Sequence, residues 1–225
     1  MVERKEQKEF NSFFGDNMKI ALINENSQVS KNNIILSALK EVSETYGHQV
    51  INAGMTTSED KNLTYVQAGL LTAILLNTRA VDFVVTGCGT GEGAMLACNS
   101  FPNVLCGYIV DPTDATLFAR VNNGNAISLP FAKGFGWGSE LTLKAIFKSL
   151  FESSFGEGYP LERAIPEQTN KKILDEIKRI SHQDMLTIVK TIDQQFLRDT
   201  IDRGNVKEVL RAVEESELKQ YLLRF

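Results

Sequence analysis

The sequence predicts an α/β protein, with three α/β/α layers around a five-stranded parallel sheet and a helical extension at the C-terminus. Three observations predict it. Strand-like and helix-like stretches alternate five times, the pattern of a parallel sheet covered on both faces. The strand stretches are continuous apolar runs, as strands buried on both faces are. After Pro160 the composition shifts, and residues 167–223 are charge-rich and helical in pattern, without strand signals. Residues 1–17 read as a polar leader, 18–165 as a Rossmann-like α/β unit and 166–225 as the helical extension.

In order, Met18–Asn24 (MKIALIN) is an apolar run and reads as the first strand. Ser30 is a candidate cap for the next helix, where Ile34, Ile35, Leu39 and Val42 recur at helical spacing and Tyr46-Gly47 closes it. HQVINAG is the second strand, with His48 as a solvated edge residue. Residues 62–77 read as a helix with Leu63, Val66, Leu70 and Ile74 inward. Residues 81–88 form the third strand and 104–110 the fourth. Asp111-Pro112 then reads as an N-cap with proline in the first turn. Residues 125–131 are the fifth strand, 134–138 a loop holding Trp137, and 139–152 an amphipathic helix that ends before Phe155-Gly156. Three or four short helices are expected beyond, packed on the core or on a partner subunit.

Composition narrows the function classes. The 225 residues are 43% hydrophobic with net charge −4, as for a globular protein with a sizeable core. No basic excess points to nucleic acid, and no polybasic run or long apolar run points to a membrane. The first residues lack an apolar signal core, so the expected compartment is the cytoplasm. Three cysteines, Cys88, Cys98 and Cys106, have no zinc spacing, and an odd count argues for free thiols. No metal and no cofactor are implied.

The chemistry concentrates in residues 81–99, VDFVVTGCGTGEGAMLACN. A buried strand runs into a glycine-rich turn and then into a helix. Gly87, Gly89, Gly91 and Gly93 alternate through the turn. Glycine admits close backbone approach, and the free N–H groups of such a turn and helix start form an anion site. Cys88 is the ionisable nucleophile inside it, and a helix N-terminus favours a thiolate. The series is not a nucleotide phosphate loop, since no Gly-Lys-Ser/Thr closes it. A dinucleotide fingerprint fails at Glu92. Taken alone, such turns are structural as readily as functional, and Cys88 reads as a small core thiol.

GCGTGEG followed by ACNSFPNV resembles the ribose-5-phosphate isomerase type B / galactose-6-phosphate isomerase family. The likeness extends over MKIAL, GHQVINAG, the helix after strand four, the Arg-x-x-Asn-x-Asn-like segment before strand five and the turn Phe155-Gly156-Glu157-Gly158, about residues 18–165. The resemblance implies an aldose–ketose isomerase, an intramolecular oxidoreductase acting on a phosphorylated sugar through a cis-enediolate. Cys88 would take the C2 proton. Thr90 and the N–H groups of Gly89, Gly91 and Gly93 would stabilise the enediolate oxygen. Asn99 would support that turn. The resemblance also implies a homodimer whose sites are shared between subunits, with the extension enlarging the interface or capping the pocket.

Several positions depart from the family pattern. Glu25-Asn26 stand where the family has Asp-His. Tyr65 is what remains of a Tyr-Pro-His-Tyr segment. Asn122, followed by Asn123, stands where the family has its ring-opening histidine, and asparagine cannot exchange a proton at neutral pH. Of two phosphate arginines, the first position is Tyr159 and the second Arg163, which removes one bidentate clamp. Glu25, Asn26, Tyr65, Gly89, Gly91, Gly93, Asn99, Asn122, Asn123 and Arg163 are the candidate substrate-binding residues, with Cys88 and Thr90 catalytic. Glu92 is a further acid/base candidate or a simple helix-start carboxylate. Arg120 is a candidate for sugar hydroxyls, and Lys133 and Trp137 lie at the functional edge. The departures leave two further readings: a non-catalytic sugar-phosphate-binding paralogue or partner subunit, and an unrelated flavodoxin-like nucleotide binder.

Overall fold

The computed structural model describes residues 17–225; the expected leader lies outside the described residues except for Asn17. Five strands, β1 (Lys19–Asn24), β2 (Gln49–Asn52), β3 (Phe83–Cys88), β4 (Cys106–Tyr108) and β5 (Ala126–Pro130), pair in parallel in the order β2-β1-β3-β5-β4. Every residue of β3 is buried, as its central place requires. The chain runs outward from β1 to β2 and then returns across β1 to β3. The carboxyl ends of β1 and β3 are therefore the topological switch point, where such sheets bind ligands.

One face of the sheet carries α1 (Asn32–Thr45), α4 (Pro112–Leu117) and α5 (Ser139–Phe151) over a core of Ile20, Leu22, Phe83, Val85, Ile127 and Phe147. The other carries α2 (Tyr65–Asn77) and α3 (Glu92–Asn99). Local chemistry fixes the ends of these elements. Thr64 and Gln67 form a reciprocal capping box at the start of α2, so the helix begins at Tyr65 and not at 62. Asp111 caps α4 with Pro112 in its first turn. The α4 helix continues into a π-helical turn, Phe118–Asn122, ended by Asn123 in a left-handed conformation.

The extension forms five helices, more than the expected three or four: α6 (Ala164–Ser181), α7 (Met185–Thr191), α8 (Gln194–Ile201), α9 (Gly204–Ala212) and α10 (Glu217–Leu222). Met185, Val189, Leu197, Ile201, Val206, Leu210 and Leu222 join the α2 side of the core. This explains why α2 is buried over the whole run 67–75: the sheet lies under it and the extension over it. Val66, expected inward, is exposed, as is Ile34. Ser30 does not cap α1, which has no side-chain cap; Glu25 instead caps a short 3-10 helix, Asn26–Lys31. His48 is not solvated. It is buried against Phe151 at 5.1 Å and accepts a hydrogen bond from the Met18 N–H at 3.3 Å, and burial lowers its pKa. The α6 helix buries no residue and exposes Ile165, Ile173, Leu174, Ile177 and Ile180. Among the described residues no helix is long and apolar enough to cross a membrane.

Candidate active site

The switch-point loops bring Cys88, Glu25, Asn26 and Tyr65 to one edge. Cys88 ends β3 and is 8% exposed. The Gly91 N–H donates to its Sγ at 3.2 Å, and Thr90 Oγ1 lies 3.9 Å from the sulfur. Gly91 has φ +81°, and a β-carbon there would meet the Tyr108 ring at 2.7 Å and the Leu129 backbone at 2.8 Å, so only glycine fits. A β-carbon on Gly87 would overlap the Leu129 carbonyl and the Phe131 ring. One on Gly93 would lie 3.4 Å from the Tyr65 ring and 3.7 Å from Cys88 Sγ; glycine here leaves a space that ring and sulfur share. Buried hydroxyls fasten the turn: Ser128 Oγ donates to the Gly91 carbonyl at 2.6 Å and Thr86 Oγ1 to the Ile23 carbonyl at 2.7 Å.

The loop after β1 closes the other side. Glu25 is 2% exposed and accepts hydrogen bonds from Ser27 N at 2.9 Å and Ser27 Oγ at 2.6 Å. Asn26 Nδ2 donates to Asn62 Oδ1 at 2.8 Å, and its N–H donates to the Leu63 carbonyl at 2.8 Å, tying this loop to the approach to Tyr65. Two residues that the sequence reading missed lie on this side, Gln28 beside Gly89 and Lys31 holding it. Gln28 Nε2 would be 3.6 Å from a β-carbon on Gly89, and Lys31 Nζ donates to Gln28 Oε1 at 2.7 Å and to the Phe131 carbonyl. Their place in the loop directly after β1 was the available signal. Tyr108, whose ring faces Gly91 and whose hydroxyl lies 3.4 Å from Lys133 Nζ, was also missed.

The remaining candidates are elsewhere. Asn99 does not reach the turn: its side chain brackets Cys106, donating to its carbonyl at 2.8 Å and accepting from its N–H at 3.0 Å. Asn122 is exposed in a cleft of about 380 Å³ with Met95, Tyr108, Phe118 and Leu174. Asn123 packs against Gly156. Arg120 is occupied, donating to the Gly158 carbonyl at 3.2 Å, pairing with Glu157 at 2.8 Å and lying over the Tyr159 ring at 5.1 Å. Arg163 is exposed at the start of α6. Glu92 is an exposed residue in the first turn of α3, and Trp137 is fully exposed. Cys98 and Cys106 are buried free thiols away from the turn, and burial pushes the Cys106 thiol up.

A buried strand end that sets a thiol against a backbone N–H, with a tyrosine ring across the space left by Gly93, can hold a small anionic polyol. The chain is similar to sugar isomerases. The model of the Ribose/Galactose Isomerase family matches residues 20–164. A structure titled 4-deoxy-L-threo-5-hexosulose-uronate ketol-isomerase complexed with a tartrate is 58% identical, with TM-score 0.89, over 92% of this chain and 98% of its own. A structure of ribose-5-phosphate isomerase from Vibrio parahaemolyticus is 46% identical, with TM-score 0.90, over 92% of this chain and 99% of its own. The type B ribose 5-phosphate isomerase of Trypanosoma cruzi, at 16% identity and TM-score 0.62, shares the fold over 73% of this chain and 99% of its own, so it is too short to span the extension as well. The chain belongs to the ribose/galactose isomerase family.

Proposed function

We propose that this chain is a ketol isomerase that moves a carbonyl between C1 and C2 of an anionic sugar through a cis-enediolate. The carrying observation is Cys88 Sγ, 3.2 Å from the Gly91 N–H and in the space shared with the Tyr65 ring. The thiolate takes the C2 proton, the C2–H electron pair becomes the C1–C2 double bond, and the carbonyl oxygen gains the negative charge. The N–H groups of Gly89, Gly91 and Gly93 and the Thr90 hydroxyl stabilise that oxygen. A proton passes from the C2 hydroxyl to the adjacent C1 oxygen, the thiol returns its proton to C1 with the electron pair of the double bond, and the C2 oxygen closes the new carbonyl while Cys88 is left as thiolate.

Two substrate classes compete. The family resemblance carries a phosphorylated sugar. An open-chain hexosulose uronate, named for the 58% identical relative, is favoured by the site itself. Asn122 cannot serve the acid–base chemistry of ring opening, and Tyr159 in place of an arginine leaves a weaker claim on a phosphate dianion. A substrate that is open-chain and ends in a carboxylate needs neither group. Asn122, Asn123 and Arg163 serve the site from the second subunit of a homodimer, whose partner also covers the apolar stripe of α6. Proton exchange by NMR in deuterated water, over a panel of aldose and ketose phosphates and open-chain uronates, tests the reading. Exchange at C2 in the wild type that Cys88→Ala abolishes supports it and identifies the substrate class. Ligand-induced stabilisation without exchange on any substrate transfers the protein to the non-catalytic binding class.

A further inference from the structure

We propose that Arg203, in the C-terminal extension, is a positioning residue for the active site, holding the substrate-facing wall made by Asn26 and Tyr65 through the backbone of Asn62. This rests on the reading of that edge as the site of isomerisation. The family model ends at residue 164, so nothing in the family pattern assigns a role to Arg203.

The contacts form a continuous path. Arg203 is 8% exposed, and its Nη2 donates to the Asn62 carbonyl at 2.8 Å. Asn62 Oδ1 accepts from Asn26 Nδ2 at 2.8 Å, and the next carbonyl, of Leu63, accepts from the Asn26 N–H at 2.8 Å. Thr64 caps α2, and Tyr65 is the first residue of that helix. Arg203 therefore grips the one point where the loop after β2 meets both the loop after β1 and the helix that carries the Tyr65 ring. Exposed ion pairs and one further hydrogen bond also cross between the extension and the sheet side. Lys61 Nζ pairs with Asp199 at 2.9 Å and Asp202 at 3.3 Å. Asn205 Nδ2 donates to the Asn52 carbonyl at the end of β2. Within the loop, Asp60 accepts from Thr56 N at 2.6 Å and Thr57 N at 3.1 Å, and these bonds and those from the threonine hydroxyls hold its carboxyl down to about 2.

Docking of the extension does not need this arginine. Leu197, Ile201, Val206 and Leu210 already bury it against α2. Burial desolvates the guanidinium and holds its pKa below the usual arginine value, while the Asp60 and Asp202 carboxylates offset part of that cost. What the arginine adds to that apolar docking is a fixed position for Asn62.

The test compares Arg203→Met, Arg203→Lys and Lys61→Met with the wild type, reading KM and kcat on the substrate found by proton exchange and amide hydrogen exchange across residues 54–66. Arg203→Met is expected to raise KM about tenfold, the scale of one lost hydrogen bond. It is also expected to speed amide exchange in 54–66 while residues 185–222 keep their protection. Arg203→Lys, which retains one donor, recovers most of the KM, and Lys61→Met, which removes exposed ion pairs, leaves it within about twofold. Unchanged KM and unchanged exchange in Arg203→Met overturn the proposal, as does loss of protection confined to the extension. If Arg203→Met does not fold, Arg203→Gln decides on the same two readouts: a raised KM with faster exchange in 54–66 supports the path, and unchanged values overturn it. If the wild type turns over no substrate, the isomerase reading fails, while amide exchange in 54–66 still decides whether Arg203 orders the loop.

Discussion

The glycine-turn half of the site and the Asn122–Arg163 half are both drawn from one family pattern, yet one chain assembles only the first. Cys88 and Gly91 meet within one turn, the Tyr65 ring reaches that turn at Gly93, and Glu25 leaves the sheet beside them because β1 and β3 are neighbours. Asn122, Asn123 and Arg163 follow β4 and β5, on the other flank of β3, and face α6 and the Gly156–Tyr159 turn. The difference teaches that a strand–turn–helix motif carries its own geometry. Residues dispersed over loops and a π-helical turn acquire a role only from what packs against them.

The sharpest break of that comparison is Cys88→Ala. Its removal is expected to lower kcat by about two to four orders of magnitude, with folding intact by circular dichroism, whereas Cys98→Ser leaves the exchange chemistry in place. A substantial residual rate in Cys88→Ala transfers the base to another group.

Next in size is a contrast inside the turn. Gly87→Ala places a methyl group against the Leu129 carbonyl and the Phe131 ring, and a loss of about 3 kcal/mol is expected, in the range of severe overpacking. At Gly89 the nearest atoms are 3.6 Å away, and Ala is expected to stay within about 0.5 kcal/mol of wild type. Urea midpoints measure both.

Subunit mixing probes the second half of the site. If Arg163 completes the partner's pocket, Arg163→Ala lowers activity severalfold. Refolding it with the inactive Cys88→Ala chain then restores one whole site per mixed dimer, about a quarter of wild-type sites by statistical pairing. Ile177→Asp, on the exposed stripe of α6, is expected to yield monomer in light scattering. No recovery on mixing, with dimers formed, would show that each chain works alone.

The smallest effect concerns His48. Its pKa is lowered by burial, so the unfolded chain binds the proton more readily and stability falls as pH drops from about 6.5 toward and through the lowered value. The loss is complete below both. The lowered carboxylates Asp60, Asp199 and Asp202 lose their contribution only below about 4, outside that window. A thermal-unfolding series between pH 7 and 5 is therefore expected to slope downward, and His48→Gln to flatten it.

Much of this molecule was legible from contiguous residues. Apolar runs gave five strands, Asp111-Pro112 gave a helix start, and the alternation of strand and helix gave a parallel sheet whose switch point holds Cys88. These features depend on backbone preference and burial periodicity, which act over a few residues. The packing of α2 was not legible, because its outer face looked like a stripe until the extension covered it. Nor was the burial of His48, which depends on Phe151 arriving from α5.

What the sequence by itself determined is the five strands alternating with helices and the glycine turn that holds Cys88. Only the tertiary structure decided that Gln28 stands beside Gly89 with Lys31 holding it, that Asn99 serves β4 and not the turn, and that Arg203 holds the Asn62 carbonyl from 141 positions away. The physical reason is one of range. Propensity, capping and periodicity are short-range and written in neighbouring residues, whereas a buried hydrogen bond between distant segments exists only once hydrophobic packing has brought those segments together and excluded water from the pair.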